Sequence, residues 1–181
     1  NSPTLSCILN AGTEKQKEDF LKPLARGEIF AAFCLTEPGA GSDASNLKTR
    51  AVKTDNGWII NGSKMFISNG KIAKVALIFA VTDPDAGKKG ITAFLVPTET
   101  KGYSVANVEN KLGQKASDTC SLNFDDMLAS DDMVLGEVGE GYKLALSNLE
   151  PGRIGIAAQS VGMARAALDV AISYANERET F

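Results

Sequence analysis

Between Phe33 and Asp43 the chain reads Phe-Cys-Leu-Thr-Glu-Pro-Gly-Ala-Gly-Ser-Asp, an apolar run that breaks into a small, flexible, oxygen-bearing loop. Such a loop can lay backbone N–H groups and hydroxyls against a large planar ligand. Ile29 to Leu35 is nearly continuous apolar sequence of strand length, so the loop leaves the mouth of a buried strand. Gly39 and Gly41 remove side chains that would hold a ligand at a distance, Pro38 fixes one turn dihedral, and Thr36 and Ser42 supply hydroxyls. The competing reading of the same residues is a tight turn with no ligand.

Three nucleotide or metal motifs come close and fail. Gly39, Gly41 and Ala44 have the spacing of a dinucleotide fingerprint, but that motif needs a helix to open at the loop. Here Asp43-Ala44-Ser45-Asn46 leads into Lys48 to Thr54, which alternates as a strand does. Gly57 to Lys64 has P-loop glycine spacing but ends Gly-Ser-Lys, the wrong order for cradling phosphate. Asp83-Pro-Asp85-Ala-Gly87 opens like a calcium loop, yet its twelfth position is Phe94, which cannot ligate.

The elements that must carry the loop are bounded by composition. The chain has 181 residues, 44% of them hydrophobic, enough for a sizeable core. A net charge of −3 with no dense Lys/Arg stripe argues against nucleic acid as the main partner. No apolar run reaches membrane-spanning length, so no membrane span is expected. Cys7, Cys34 and Cys120 are odd in number and widely spaced, which reads as reduced core thiols rather than a disulfide framework or zinc site. There is no histidine, so acid–base chemistry falls to carboxylates, Lys, Tyr or Cys.

Three zones follow one another. Residues 13–27 form a Thr13-capped helix with Phe20, Leu21 and Leu24 on one side and Gly27 as its stop. From Ile29 to about Leu135 strands alternate with turns at Asp55-Asn56-Gly57, Asn61-Gly62, Asn69-Gly70, Asp83 to Gly87 and Lys101-Gly102. Short strands at this spacing predict an antiparallel barrel or sandwich. After Gly136, Ile154, Ala157, Ala158, Val161, Ala164, Leu168, Ala171, Ile172 and Ala175 recur at helical spacing on a smooth, alanine-rich segment. The expected class is α+β: 1–28 ending a helical domain, 29–136 a β-domain, 137–181 opening a second helical domain. A helix that needs neighbours on several sides suggests a piece of a longer protein.

That order, with Thr36-Glu37-Pro38-Gly39-Ala40-Gly41-Ser42-Asp43, resembles the acyl-CoA dehydrogenase family, in particular its short-chain, butyryl-CoA-like branch. The resemblance covers nearly the whole chain. Asn61 to Gly70, Lys111 to Thr119, Gly139-Glu140-Gly141-Tyr142, Gly152 to Ala157 and Glu177 to Phe181 follow in the same order. It implies FAD between a β-domain and a C-terminal helical domain, with Phe33, Cys34, Leu35, Thr36, Gly41 and Ser42 lining the flavin and its phosphate tail. Phe66, Ile67 and Ser68 flank the ring, where the family more often has Trp-Ile-Thr. For Thr36 and Ser68 the plain alternative is strand-end capping, and for Phe66 a core aromatic on a strand. Ser42, Glu150, Gly152 and Arg153 are implied to face the CoA thioester. Arg178 is implied to reach the FAD of a neighbouring subunit, or else to be a surface cation at a helix end. Pro151 predicts a kink or a helix start.

The implied reaction is α,β-dehydrogenation of an acyl-CoA to a trans-2-enoyl-CoA, in fatty-acid or branched-chain amino acid catabolism. A carboxylate takes the α-proton while the β-hydrogen leaves as hydride. In the family that base lies beyond the position of Phe181, or in a minority at the position of Gly152, so no catalytic base is assigned here. The resemblance also implies electron-transfer flavoprotein as acceptor and a homotetramer or dimer, cytoplasmic in a bacterium or in the mitochondrial matrix of a eukaryote. The alternatives are a non-catalytic flavin or acyl-CoA binding module and an oxygen-using acyl-CoA oxidase.

Overall fold

A computed structural model describes residues 2–181. It divides within its last helix into two compact units, the first running through Leu146 and the second spanning Ser147–Phe181.

The first unit opens with α1 (Ser2–Ala11), whose Cys7 and Ile8 are buried. The next helix, α2, runs through Glu14–Gln16, Lys17–Leu21 and Lys22–Arg26, and its middle segment is a π-turn. Thr13 caps it in a reciprocal box: its hydroxyl accepts from the Gln16 N–H, and the Gln16 side chain accepts from the Thr13 N–H. The expected single helix is therefore locally widened. The π-turn lies just ahead of Pro23, which has no N–H to continue the regular ladder. Gly27, at φ 73°, ends the helix in the left-handed conformation.

Eight strands follow: β1 (Ala31–Cys34), β2 (Arg50–Thr54), β3 (Gly57–Ser68), β4 (Val75–Val81), β5 (Ile91–Pro97), β6 (Tyr103–Val108), β7 (Thr119–Ala129) and β8 (Val134–Leu135). They form one sheet in the order β6-β7-β3-β2-β4-β5-β8, with β1 also paired to β4. Most pairs are antiparallel, as the short strand spacing predicts. The exceptions are β1 and the end of β2, both parallel to β4. Both strands are reached by loops rather than tight hairpins, which frees their direction.

The centre of the sheet is buried on both faces. On β4, Ala76, Ile78 and Ala80 enter the main core with Phe94 and Val96 of β5, Ile60 and Trp58 of β3, and Leu122 and Phe124 of β7. Alternation sends Val75, Leu77 and Phe79 to the opposite face, and all three are also fully buried. Phe33 of β1 packs on Phe79 there, ring centroids 5.1 Å apart. Burying six successive β4 residues removes enough apolar area to outweigh many marginal surface contacts, at about 25 cal/mol per Å².

Asn61-Gly62 does not end a strand. Gly62 sits inside β3 at φ 152°, and a Cβ there would lie 2.5 Å from the Thr49 hydroxyl oxygen. Its register shift comes from an extra residue on β7, where Asp126 takes φ 44°. Asn61 and Asp126 hydrogen-bond reciprocally across it. A turn signal is thus absorbed as an irregularity within paired strands.

The last element, α3 (Gly141–Glu177), has 37 residues. It begins where Gly141 lets the chain touch β5, since a Cβ there would meet Thr92 and Ala93 backbone atoms at 2.7 and 2.8 Å. Pro151 consequently lies inside the helix, not at its start. In the second unit, every residue from Glu150 onward is exposed, apolar Ile154, Val161 and Leu168 included. Among the described residues no helix is long and apolar enough to cross a membrane.

Candidate functional site

The loop after β1 is closed at its base by Glu37 and Ala40, each donating its N–H to the other's carbonyl at 3.0 and 3.1 Å. Pro38 and Gly39 form the exposed tip. No helix begins at Asp43 to Asn46, so the dinucleotide fingerprint lacks its essential element. Neither Gly39 nor Gly41 takes a left-handed φ, and a Cβ on either would meet nothing within 4 Å. Neither backbone geometry nor internal packing demands glycine at these two positions.

The second half of the site lies on β3. Between Lys64 and Ile67 that strand advances three residues while β7 advances two, from Leu122 to Cys120. The extra residue lies at the Met65–Phe66 step, where Phe66 adopts φ 57°. Up to this step the buried side chains are those of the even-numbered residues Trp58, Ile60 and Lys64. The bulge inverts that alternation, so Ile67 is buried and Phe66 is 60% exposed. Phe66 is not a core aromatic. A bulky residue held at positive φ is uncommon and costs roughly 1–2 kcal/mol, which the paired strands on either side sustain.

The two halves touch. The Met65 N–H donates to the Thr36 carbonyl at 2.9 Å. Thr36 is half-buried, Cys34 and Leu35 are buried, and Ser42 and Ser68 are exposed. The loop after β1 and the β3 bulge are thus joined at Thr36 and Met65, one residue before the outward-turned Phe66. The remaining site candidates, Glu150, Gly152, Arg153 and Arg178, belong to the second unit and are all exposed. Glu150 and Arg153 lie three residues apart, on neighbouring positions of one helix face.

Beneath this junction is a feature that sequence reasoning passed over. Lys64 is completely buried, and its ammonium donates to the Phe79 carbonyl (2.7 Å), to Glu37 Oε1 (2.8 Å) and to the Leu35 carbonyl (3.1 Å). All three N–H bonds are used. Glu37, also buried, accepts from the backbone N–H groups of Lys48 at Oε2 (2.6 Å) and Thr49 at Oε1 (3.1 Å). Burial by itself would raise the Glu37 pKa, but the Lys64 charge and these hydrogen bonds outweigh it and hold the carboxyl below its ordinary value. Burial lowers the Lys64 pKa, an effect that Glu37 opposes. The signal available in the sequence was a lysine in step with Trp58 and Ile60, the inward positions of the same strand.

None of the three thiols is in a disulfide, and all are buried. Burial pushes Cys7 and Cys34 up to about 12, and burial with the Asp118 carboxylate pushes Cys120 up to about 11. These thiols are inert core groups, not nucleophiles. Among the described residues no cluster of His, Cys, Asp or Glu could hold a metal ion.

Comparison with known proteins agrees with this architecture. The model of the acyl-CoA dehydrogenase middle domain matches residues 32–127, and that of the acyl-CoA dehydrogenase C-terminal domain matches residues 139–181. The chain belongs to the acyl-CoA dehydrogenase family. It is 49% identical, over 94% of its length and 39% of the relative's, to the mitochondrial short/branched chain specific acyl-CoA dehydrogenase of Rattus norvegicus. The structure of butyryl-CoA dehydrogenase from Megasphaera elsdenii superposes with a TM-score of 0.94 at 45% identity, covering 99% of this chain and 47% of that one. PigA with FAD and proline superposes with a TM-score of 0.94 at 30% identity, covering 99% and 47%. The chain spans less than half the length of these relatives.

Proposed function

We infer that this chain is the flavin- and CoA-binding portion of an FAD-dependent acyl-CoA dehydrogenase acting on short-chain or branched short-chain thioesters. The observation that carries the reading is the outward-turned Phe66 beside the Thr36 loop, hydrogen-bonded into one unit in a middle domain of this family. Gly39 and Gly41 leave open space on the same loop, which suits a broad planar group.

In this reading Phe33, Thr36, Gly41 and Ser42 line the cofactor from one side, with Cys34 and Leu35, whose side chains are buried, contributing through their backbone. Phe66 covers the ring, Ile67 anchors the bulge from within the core, and the Ser68 hydroxyl donates near the ring. Ser42 is assigned also to the CoA portion, and Glu150, Gly152 and Arg153 are assigned to the CoA thioester. Arg178 faces the cofactor of a second subunit, making binding dependent on a homo-oligomer. Bound FAD would accept the hydride from the substrate β-carbon. The chain's own part is to bind, to orient and to keep water away from a thioester whose α-proton is otherwise too weakly acidic.

The base that removes the α-proton is placed outside these 181 residues, since Gly152 occupies the alternative position and Glu150 is two residues away. Domain limits at 28 and 136 complete the proposal, with electron-transfer flavoprotein as acceptor. The setting is bacterial cytoplasm or mitochondrial matrix. The test is to add a panel of acyl-CoA thioesters to the intact full-length protein and follow flavin absorbance without oxygen. Bleaching by C4 or branched C5 thioesters is expected, with reoxidation by an electron-transfer protein. A colourless preparation that takes up no added FAD overturns the reading. Rapid turnover on oxygen alone reassigns it to an oxidase.

A further inference from the structure

We propose that the buried Lys64–Glu37 pair is the positioning device of the site, setting the Leu35–Thr36 peptide and the Met65–Phe66 bulge in their binding geometry before a cofactor arrives. The proposal rests on the flavin reading above and assigns a role to two residues that act through others.

The pair joins four separate stretches of chain. Lys64 belongs to β3, its acceptors Leu35 and Glu37 follow β1, and Phe79 is on β4. Glu37 in turn holds Lys48 and Thr49, just ahead of β2. Lys64 stands two residues before Phe66, and its ammonium grips the carbonyl one residue before Thr36. A shift of either half of the site therefore breaks a hydrogen bond to a buried charge, which is costlier than breaking a neutral one.

A buried pair of this kind is weak evidence for stability in itself. The inward positions of β3 on either side, Ile60 and Ile67, are apolar, and a methionine would fill the lysine's path. Replacing a buried ion pair by apolar groups is often neutral or stabilising, whereas retaining one is best attested where it enforces a particular arrangement. The ammonium also polarises the Leu35–Thr36 peptide by binding its carbonyl oxygen. That makes the Thr36 N–H a stronger donor toward a group gaining electron density at the mouth of the sheet.

The test uses the full-length protein and has two arms. In the wild-type apoprotein, amide exchange at Lys48, Thr49 and Met65 should be as slow as in the FAD-loaded form. Fast exchange in the apoprotein, slowed only by cofactor, overturns the idea of a preset site. In the second arm, Lys64→Met/Glu37→Gln removes both charges together while keeping their volume. This variant should bind FAD with an altered absorption spectrum and favour the oxidised form by about tenfold, some 30 mV for a two-electron couple. Wild-type spectrum and potential in a folded, loaded variant overturn the proposal and leave the flavin reading intact. If the variant does not fold, the exchange arm decides. If the wild-type protein binds no FAD, the flavin reading fails, and exchange still reports whether the loop is preset.

Discussion

The Met65 N–H lies 2.9 Å from the Thr36 carbonyl oxygen, so the loop leaving β1 and the bulge in β3 are one hydrogen-bonded unit. That bond and the Lys64 contact with Leu35 occupy the carbonyls on both sides of the Thr36 N–H, and Thr36 itself is half-buried.

Thr36→Val keeps the shape and removes the hydroxyl. The full-length variant should fold normally while losing about 1 kcal/mol of cofactor affinity, the net worth of one hydrogen bond. Cofactor content after dialysis and the reduction potential are the measurements. If both match the wild type, the assigned contact is wrong.

Phe66 makes a second, opposite prediction about stability. A core Phe→Ala change costs about 3–5 kcal/mol, but Phe66 is 60% exposed and should cost well under half of that. Since its φ is 57°, Phe66→Gly should be more stable than Phe66→Ala by about 1 kcal/mol, reversing the usual order at a strand position. Urea unfolding of the apoproteins would show this. Both variants should perturb the visible spectrum of bound flavin.

Gly41 offers a control for the open face of the loop. With no left-handed φ and no atom within 4 Å of a Cβ, Gly41→Ala should leave the apoprotein as stable as before or raise its stability by about 0.4–1 kcal/mol. Weakened FAD binding in the same variant would locate the ligand against that face. Destabilisation of the apoprotein would mean that the loop packs more tightly than the geometry indicates.

Acid should expose Glu37. Its carboxyl titrates below its ordinary 4.5 in the fold, so between those two values the unfolded chain binds more protons and stability rises with pH. The contribution is complete above about pH 4.5 and is lost as pH falls through the lowered folded value. Denaturant unfolding from pH 7 down to 3 should show this decline, and Glu37→Gln, if folded, should flatten it. An equally steep decline in the variant would assign acid sensitivity to other carboxylates.

Local chemistry in the sequence was enough for the class of the fold. Thr13 and Gly27 carry helix-end signals that act within one turn, and the unbroken apolar run of β4 matches a strand buried on both faces. The Thr36-Glu37-Pro38-Gly39 loop was legible for the same reason. What it could not contain was anything depending on which strand pairs where. Whether Asn61-Gly62 turns the chain or is absorbed between strands is settled by Asp126, 65 residues away. Pro151 lies inside α3 because the helix start is set by Gly141 against β5.

The site itself divides along the same line. Residue type alone marked Thr36, Ser42 and Ser68 as hydroxyls and Phe66 as an aromatic, but not which way the aromatic points. Side-chain direction in a strand has a period of two, so one extra residue paired against β7 sends Phe66 out and Ile67 in. The Lys64–Glu37 contact spans 27 residues of sequence. Lys64 falls in step with the inward Trp58 and Ile60, but nothing local marks Glu37 as its partner, because burial and ion pairing arise only when β1, β3 and β4 assemble around them.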